Sequence, residues 1–149
     1  MVAPHLRPAT AADSQALFDW RNDALTRAVS GSHAEIDRDA HEAWFLASLA
    51  SDSRTIYLAE VEGEPAGMVR FDREGAAAEV SINLAPAFRG RGFAGEILAG
   101  AIGSYRDGNG IPVRLLARIR PDNAPSIRLF AAAGFVPAGA DGDLELFEL

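Results

Sequence analysis

Leu84-Ala85-Pro86-Ala87-Phe88-Arg89-Gly90-Arg91-Gly92-Phe93-Ala94-Gly95 is the stretch that decides how this chain folds. Ahead of it, Ala77–Leu84 alternates Val80, Ile82 and Leu84 with Glu79, Ser81 and Asn83, which predicts a strand. Behind it, Gly92–Tyr105 carries apolar residues at Phe93/Ala94, Ile97/Leu98, Ala101/Ile102 and Tyr105, the period of a helix. The stretch therefore turns a strand into a helix. Its glycines let the backbone turn sharply and bring N–H groups against an anion with no Cβ in the way. The first turn of the helix adds unpaired N–H groups and a positive dipole end. A pyrophosphate is the natural occupant, and Arg89 and Arg91 add charge and forked donors.

Outward from this turn the chain reads as one domain of 149 residues, without repeats, low-complexity tracts or a linker. Upstream, His5–Pro8 predicts a first strand, and Thr10 or Asp13 can cap a helix through Trp20. The polar stretch Arg21–Gly31 reads as part helix and part loop. A second helix is predicted from Asp37 to Leu49, with Ala40, Trp44 and Ala47 on one face. Arg54–Val61, Ala66–Phe71 and Ala77–Leu84, separated by the turns Glu62-Gly63-Glu64-Pro65 and Arg73-Glu74-Gly75, predict an antiparallel meander. Downstream, Gly108-Asn109-Gly110 stops the long helix. Val113–Ile119 alternates again, so Ala77–Leu84 and Val113–Ile119 become the parallel strands of a right-handed βαβ crossover. Asn123 to Ala133 predicts a short helix ended by Gly134, followed by closing strands at Phe135–Pro137 and Leu144–Leu149.

Composition narrows the chemistry. With 48% hydrophobic and 23% charged residues the chain buries a core. It has no cysteine, which excludes disulfides, zinc fingers, iron–sulfur sites and thiol nucleophiles. All 14 basic residues are arginine, so Schiff-base chemistry and the P-loop lysine are excluded too. The net charge of −7 argues against nucleic acid as a partner. No apolar run approaches the roughly 20 residues of a membrane helix, and Met1–Arg7 lacks a basic segment followed by an apolar one, so a cytoplasmic location is expected. His5 and His33 have no partners at ligand spacing, so no metal is expected. The charge is uneven: Pro86–Phe130 is net +4 and the remainder −11, which suggests an anion bound locally by the basic block.

Gly90, Gly92 and Gly95 satisfy the G-x-G-x-x-G spacing of dinucleotide-binding turns. That fingerprint belongs to the first βα turn of a doubly wound parallel sheet, whereas here it follows a meander. Arg89-x-x-Gly92-x-Ala94 instead resembles the [Q/R]-x-x-G-x-[G/A] pyrophosphate motif of the GNAT acetyltransferase superfamily. Leu6-Arg7-Pro8-Ala9-Thr10 with Asp13 resembles that superfamily's opening strand and helix start. Asn123-x-x-Ser126-x-x-Leu129-Phe130-x-x-x-Gly134-Phe135 resembles its second acetyl-CoA segment. The resemblance runs the length of the chain and implies an α+β, three-layer fold. It has a mixed, mostly antiparallel sheet of six to seven strands, a central parallel pair splayed at the cofactor, and about four flanking helices.

The resemblance also implies an acetyl-CoA-dependent N-acetyltransferase and a set of site residues. Leu84 and Ala85 would offer backbone groups to the pantetheine arm, with the two parallel strands splayed beside them. Arg89, Gly90, Arg91, Gly92, Phe93 and Ala94 would hold the pyrophosphate, and Asn123 and Phe130 would meet the thiol end. Attack on the thioester needs a base for the ammonium proton and a donor near the developing charge. Glu79, through a water, is the expected base. Many members have a tyrosine where this chain has Phe130, so Ser126 or a water would protonate the thiolate. Trp20-Arg21-Asn22-Asp23 and His41-x-x-Trp44-Phe45 resemble the N-terminal helices of acetyltransferases of nucleotide-linked amino sugars, and are also similar to segments of the ribosomal-protein N-terminal acetyltransferases; such helices wall the acceptor pocket in the family. Arg21, Asn22 and His41 are the expected acceptor contacts, while Trp20 and Trp44 read as core. The expected partner is a small primary amine, with no nucleic acid and no membrane, and a homodimer is left open. Two alternatives remain: acetylation of a protein N-terminus, for which the −11 outside the basic block permits an acidic groove, and a CoA-binding module without chemistry.

Overall fold

Among the described residues period-two segments become strands and period-3.6 segments become helices, except that the strand expected at Phe135–Pro137 is Val136–Asp141 and is exposed throughout. The computed structural model of the protein describes residues 2–23, 26, 35–109 and 113–149. The strands are β1 (His5–Pro8), β2 (Arg54–Val61), β3 (Glu64–Glu74), β4 (Ala77–Leu84), β5 (Arg114–Ile119), β6 (Val136–Asp141) and β7 (Leu144–Glu148). The helices are α1 (Ser14–Asn22), α2 (Arg38–Ala50), α3 (Phe93–Asn109) and α4 (Ala124–Ala132), with short 3₁₀ turns at Ala11–Asp13 and Pro86–Phe88. Residues 24, 25 and 27–31 of the stretch expected as part helix and part loop lie outside the described residues, as do His33 and Gly110.

The seven strands form one sheet in the order β1-β2-β3-β4-β5-β7-β6. The meander is antiparallel, its first turn carrying positive φ at Glu62 (52°) and Gly63 (81°), the twist that a two-residue hairpin turn demands. Among the described strands the one parallel pair is β4–β5, joined through α3. It is short: Ala77 pairs with Arg114, Ala78 with Leu115 and Glu79 with Leu116, and there the ladder stops. Beyond Glu79, β4 stays with β3 as far as Leu84, while β5 turns to β7.

Alternation sends each strand's apolar residues to one of two cores. Val69, Phe71, Ala78, Val80, Leu115, Ala117 and Ile119 pack under α3, whose Ile97, Leu98, Ala101 and Tyr105 face the sheet. Phe71 and Tyr105 stack with ring centres 4.1 Å apart. On the opposite face Ile56, Leu58, Ala66 and Met68 pack against Leu17 and Trp20 of α1 and Phe45 of α2. The result is three layers. Asp13 fastens the N-terminal edge: its carboxylate takes both ends of the Arg7 guanidinium (2.9 and 2.8 Å) and the Thr10 N–H (2.8 Å). Burial alone would raise its pKa, but these donors outweigh burial and hold it below the usual carboxylate value.

Helix α2 begins where predicted, with Asp37 accepting from the N–H groups of Asp39 and Ala40. Its inner face is one residue away from the expected one. His41, Phe45 and Ser48 are buried, whereas Ala40 and Ala47 are exposed. The polar members of that stripe are satisfied: the Ser48 hydroxyl donates to the Trp44 carbonyl (2.8 Å), and both ring nitrogens of His41 have partners. A satisfied polar group can enter a core. Among the described residues no helix is long and apolar enough to cross a membrane.

Candidate active site

Two features converge at the C-terminal end of β4: the turn into α3 and the gap beside β5. In the turn, the Ala85 N–H donates to the Ala66 carbonyl (2.8 Å), closing the chain onto β3. The Pro86–Phe88 3₁₀ turn then carries it to Gly90 and Gly92, which adopt φ of 70° and 83°. A Cβ added at either would meet nothing within 4 Å. These glycines are needed for their backbone conformation, and the side where a side chain would stand is open. The 17-residue α3 presents its first N–H groups immediately afterwards. Arg91 stays at the turn, its guanidinium 5.0 Å from the Phe88 ring and 5.4 Å from the Phe93 ring. Arg89, expected beside it, points the other way. It donates to the Asp23 carboxylate (2.7 Å) and the Thr26 hydroxyl (2.8 Å), across from the turn.

The splay expected between the parallel strands is present from Glu79 onward. It opens into a cleft of 390 Å³ that runs between the layers. Trp20 and Arg21 of α1 and Trp44 of α2 wall one side. Met68 and Arg70 of β3 with Ser81 and Asn83 of β4 form its floor. Arg118 and Arg120 from the end of β5, then Asn123, Ser126 and Phe130, close the far side. Trp20, read from the sequence as core, is in the core and also lines the cleft, and Trp44, read the same way, is half-buried against that core and lines it too.

The cleft's electrostatics are one-sided. Arg21, Arg70, Arg118 and Arg120 line it, and among the described residues no carboxylate does. Three of the four have carboxylate partners off the cleft lining, of which Asp141 and Asp122 are solvent-exposed and screen only weakly. Arg118 is held by Asp141 (2.7 Å) and Glu79 (3.2 Å), and the Asp141 bond helps to raise its pKa. Arg70 pairs with Asp72 (2.9 Å), which also holds Arg54, and Arg120 pairs with Asp122 (3.3 Å). Arg21 differs: among the described residues no carboxylate reaches it. Its guanidinium lies 4.4 Å over the Trp44 ring and donates to His41 Nδ1 (3.2 Å). Burial, and after it the charge of Arg70, lowers its pKa.

Several expected site residues make contacts the sequence did not show. His41 is 1% exposed and off the cleft lining, with Nε2 on the Ser14 carbonyl (3.1 Å) and Nδ1 on Arg21. Asn22 clamps the entry to α2, its amide donating to the Ile36 carbonyl (3.0 Å) and accepting from the Ile36 N–H (2.7 Å). Ala85 has its N–H committed to Ala66, so the strand's unpaired edge is at Leu84. Glu79 shares the face of Ser81 and Asn83, as alternation predicts, but sits behind Arg118 and not on the cleft lining. Asn123 caps α4 by accepting from the Ser126 N–H (3.3 Å) and also lines the cleft. Phe130, 3% exposed, meets Phe135 edge-on at 5.0 Å. Arg70 is a cleft residue that the sequence reading missed. The clue was its period-two relation to Met68, but nothing in the sequence said which face the cleft would occupy.

Residues 5–136 match the family model described as acetyltransferase (GNAT) domain. The chain belongs to the GNAT acetyltransferase family. Solved GNAT structures agree with it over nearly their whole length. A spermidine N-acetyltransferase from Vibrio cholerae in complex with CoA and spermine superposes with a TM-score of 0.84 at 16% identity, covering 97% of this chain and 92% of that one. The aminoglycoside acetyltransferase AAC(6')-Ib in complex with coenzyme A gives 0.83 at 18% identity, over 98% and 93%. A ribosomal-protein-alanine N-acetyltransferase from Brucella melitensis gives 0.79 at 28% identity, over 97% and 96%. No curated protein sequence matches the chain significantly. As a GNAT enzyme, it is an N-acetyltransferase that uses acetyl-CoA.

Proposed function

We propose that this enzyme acetylates the primary amine of a small, negatively charged acceptor, a nucleotide-linked amino sugar. The observation that carries the reading is the cleft lining: four arginines, no carboxylate among the described residues, and Arg21 without an acidic partner. A half-buried guanidinium with no counter-ion among the described residues is left partly desolvated, and a diphosphate or carboxylate on the acceptor supplies one in forked geometry. Polyamines and aminoglycosides are polycations, and such a lining repels them.

The remaining residues fall into roles that fit the reaction. The turn at Gly90 and Gly92, open where their side chains would stand, and the first N–H groups of α3 at Phe93 and Ala94 fit the diphosphate of acetyl-CoA, with Arg91 beside it. The free edge of β4 at Leu84 and the β4–β5 gap fit the pantetheine arm, and Asn123 and Phe130 fit its thiol end. The acceptor arrives as an ammonium, and the surrounding arginines lower its pKa by like-charge repulsion. Glu79, through a water passing Arg118, takes the proton. The neutral nitrogen then attacks the thioester carbonyl carbon, a C–N bond forms and the C–S bond breaks; the thiolate takes a proton from Ser126 or a water, and the proton that the acylated nitrogen sheds replaces it there.

A second reading, protein N-terminal acetylation, draws on the 28% identity to the ribosomal-protein-alanine acetyltransferase. The acidic groove it was expected to need is not what lines the cleft. Release of CoA, measured with UDP-glucosamine, glucosamine 6-phosphate, spermidine and a basic peptide with an N-terminal alanine, separates the two. The anionic sugars are expected to exceed spermidine in kcat/KM by about a hundredfold, the value of one or two lost charge-assisted contacts. Faster turnover of the peptide or of spermidine overturns the proposal.

A further inference from the structure

We propose that Arg89 is a positioning residue that transmits occupancy of the cofactor turn to the acceptor wall of the cleft, and is not a ligand of the phosphates. Arg89 lies one residue before the Gly90–Gly92 backbone, yet its side chain leaves the turn and forks. One nitrogen donates to the Asp23 carboxylate at 2.7 Å and the other to the Thr26 hydroxyl at 2.8 Å. Arg89 and Asp23 are each about a quarter exposed, 25% and 24%, so the pair is substantially shielded from solvent. A bidentate, charge-assisted arrangement of this kind fixes geometry as well as energy.

The chain of contacts continues into the cleft. The Thr26 hydroxyl also meets Asn83 Oδ1 at 3.3 Å, and the Asn83 amide nitrogen approaches the Trp20 carbonyl at 3.4 Å. Asp23 in turn lies one residue beyond the end of α1, the helix that carries Arg21. Thr26, Asn83, Trp20 and Arg21 all line the acceptor side of the cleft. A single guanidinium therefore ties the turn that receives the diphosphate to the wall that receives the amine. When the diphosphate fixes the turn, Arg89 holds Asp23 and Thr26 in register with it, and the wall is set for the acceptor. The inference rests on acetyl-CoA loading the turn, and does not depend on which amine is acetylated.

The test uses CoA as the probe, read by calorimetry and by amide hydrogen exchange of the segment holding Trp20, Asp23 and Thr26. In the unaltered protein CoA is expected to slow exchange there by about tenfold, a coupling of ordinary allosteric size. Arg89→Met is expected to bind CoA within about threefold of the unaltered protein while losing that protection. Asp23→Asn, which keeps the side-chain size and serves if Arg89→Met fails to fold, is expected to lose it too. Arg89→Lys, which restores the charge opposite Asp23 but not the fork, is expected to recover part of it. A loss of CoA affinity of about tenfold or more in folded Arg89→Met, with Asp23→Asn unaffected, would make Arg89 a phosphate ligand and overturn the proposal. Full CoA-induced protection in either variant also overturns it. None of these readings requires an acceptor, so failure of the amino-sugar assignment leaves them intact.

Discussion

His41 and Arg21 share one hydrogen bond that settles the state of both. His41 Nε2 lies 3.1 Å from the Ser14 carbonyl, which only accepts, so Nε2 carries the proton; Nδ1 is then a lone pair, and it accepts from Arg21 at 3.2 Å. A second proton on the ring would face the guanidinium. Burial, with the charges of Arg21 and Arg38 after it, lowers the His41 pKa against the Ser14 bond and Glu42, which act to raise it. With the folded value below the unfolded one, protons favour the unfolded chain. Stability is full above the ordinary histidine value of about 6.5 and falls as pH drops below it toward the folded value. Thermal unfolding between pH 7.5 and 5.5 is expected to show a falling midpoint that is flattened in His41→Gln, whose amide can keep both bonds.

Arg21 is the cleft arginine without a carboxylate partner among the described residues, so its removal leaves no buried acid behind. Arg21→Gln is expected to raise KM for an anionic acceptor by about 10- to 100-fold, the cost of a lost charge-assisted contact. CoA affinity should be unchanged. Equal KM values in steady-state kinetics would remove Arg21 from acceptor binding.

Gly92 has φ of 83° with open space where a side chain would point. Gly92→Ala is expected to cost about 1 kcal/mol in stability, the left-handed penalty of an L-residue, and to weaken CoA binding. Gly92→Glu adds like charge against the diphosphate and is expected to abolish CoA binding. Calorimetry beside a melting curve distinguishes the local strain from the lost site.

Phe130 lines the cleft but offers no proton. Phe130→Tyr puts a phenol into the proposed thiol end and is expected to raise kcat several-fold, below the roughly hundredfold or more of a full general acid because Ser126 or a water already supplies the proton. Ser126→Ala and Glu79→Gln are expected to lower kcat while sparing CoA affinity. Single-turnover CoA release checks each; an unchanged rate in Glu79→Gln would reduce its role to holding Arg118.

The meander, the crossover and the cofactor turn were legible in the sequence because each is written in local periodicity and turn chemistry. Ala77–Leu84 was placed with the bounds it has in the sheet. What was not legible depends on which partner a polar side chain finds. Arg89 and Arg91 look alike in the sequence, and one stacks at the turn while the other crosses to Asp23. His41 reads as a reactive side chain until Ser14 and Arg21 occupy its ring. The charge totals misled for the same reason. Of the acids outside the basic block, Asp72, Glu79 and Asp141 pair with cleft arginines, while Asp13, Glu60, Asp23 and Glu148 pair with arginines off the cleft lining, so the totals say nothing about which charge the cleft presents.

The abrupt end of the β4–β5 ladder has a mechanical consequence. Four strands on one side and three on the other are stitched by three residue pairs, so the sheet's hydrogen-bonded ladder is open along β4 beyond Glu79 while the core under α3 holds both halves together. A guest whose amides span that opening would act as the missing rung, making the loaded enzyme stiffer across its middle than the empty one. Substrate capture and mending of the sheet would then be a single event.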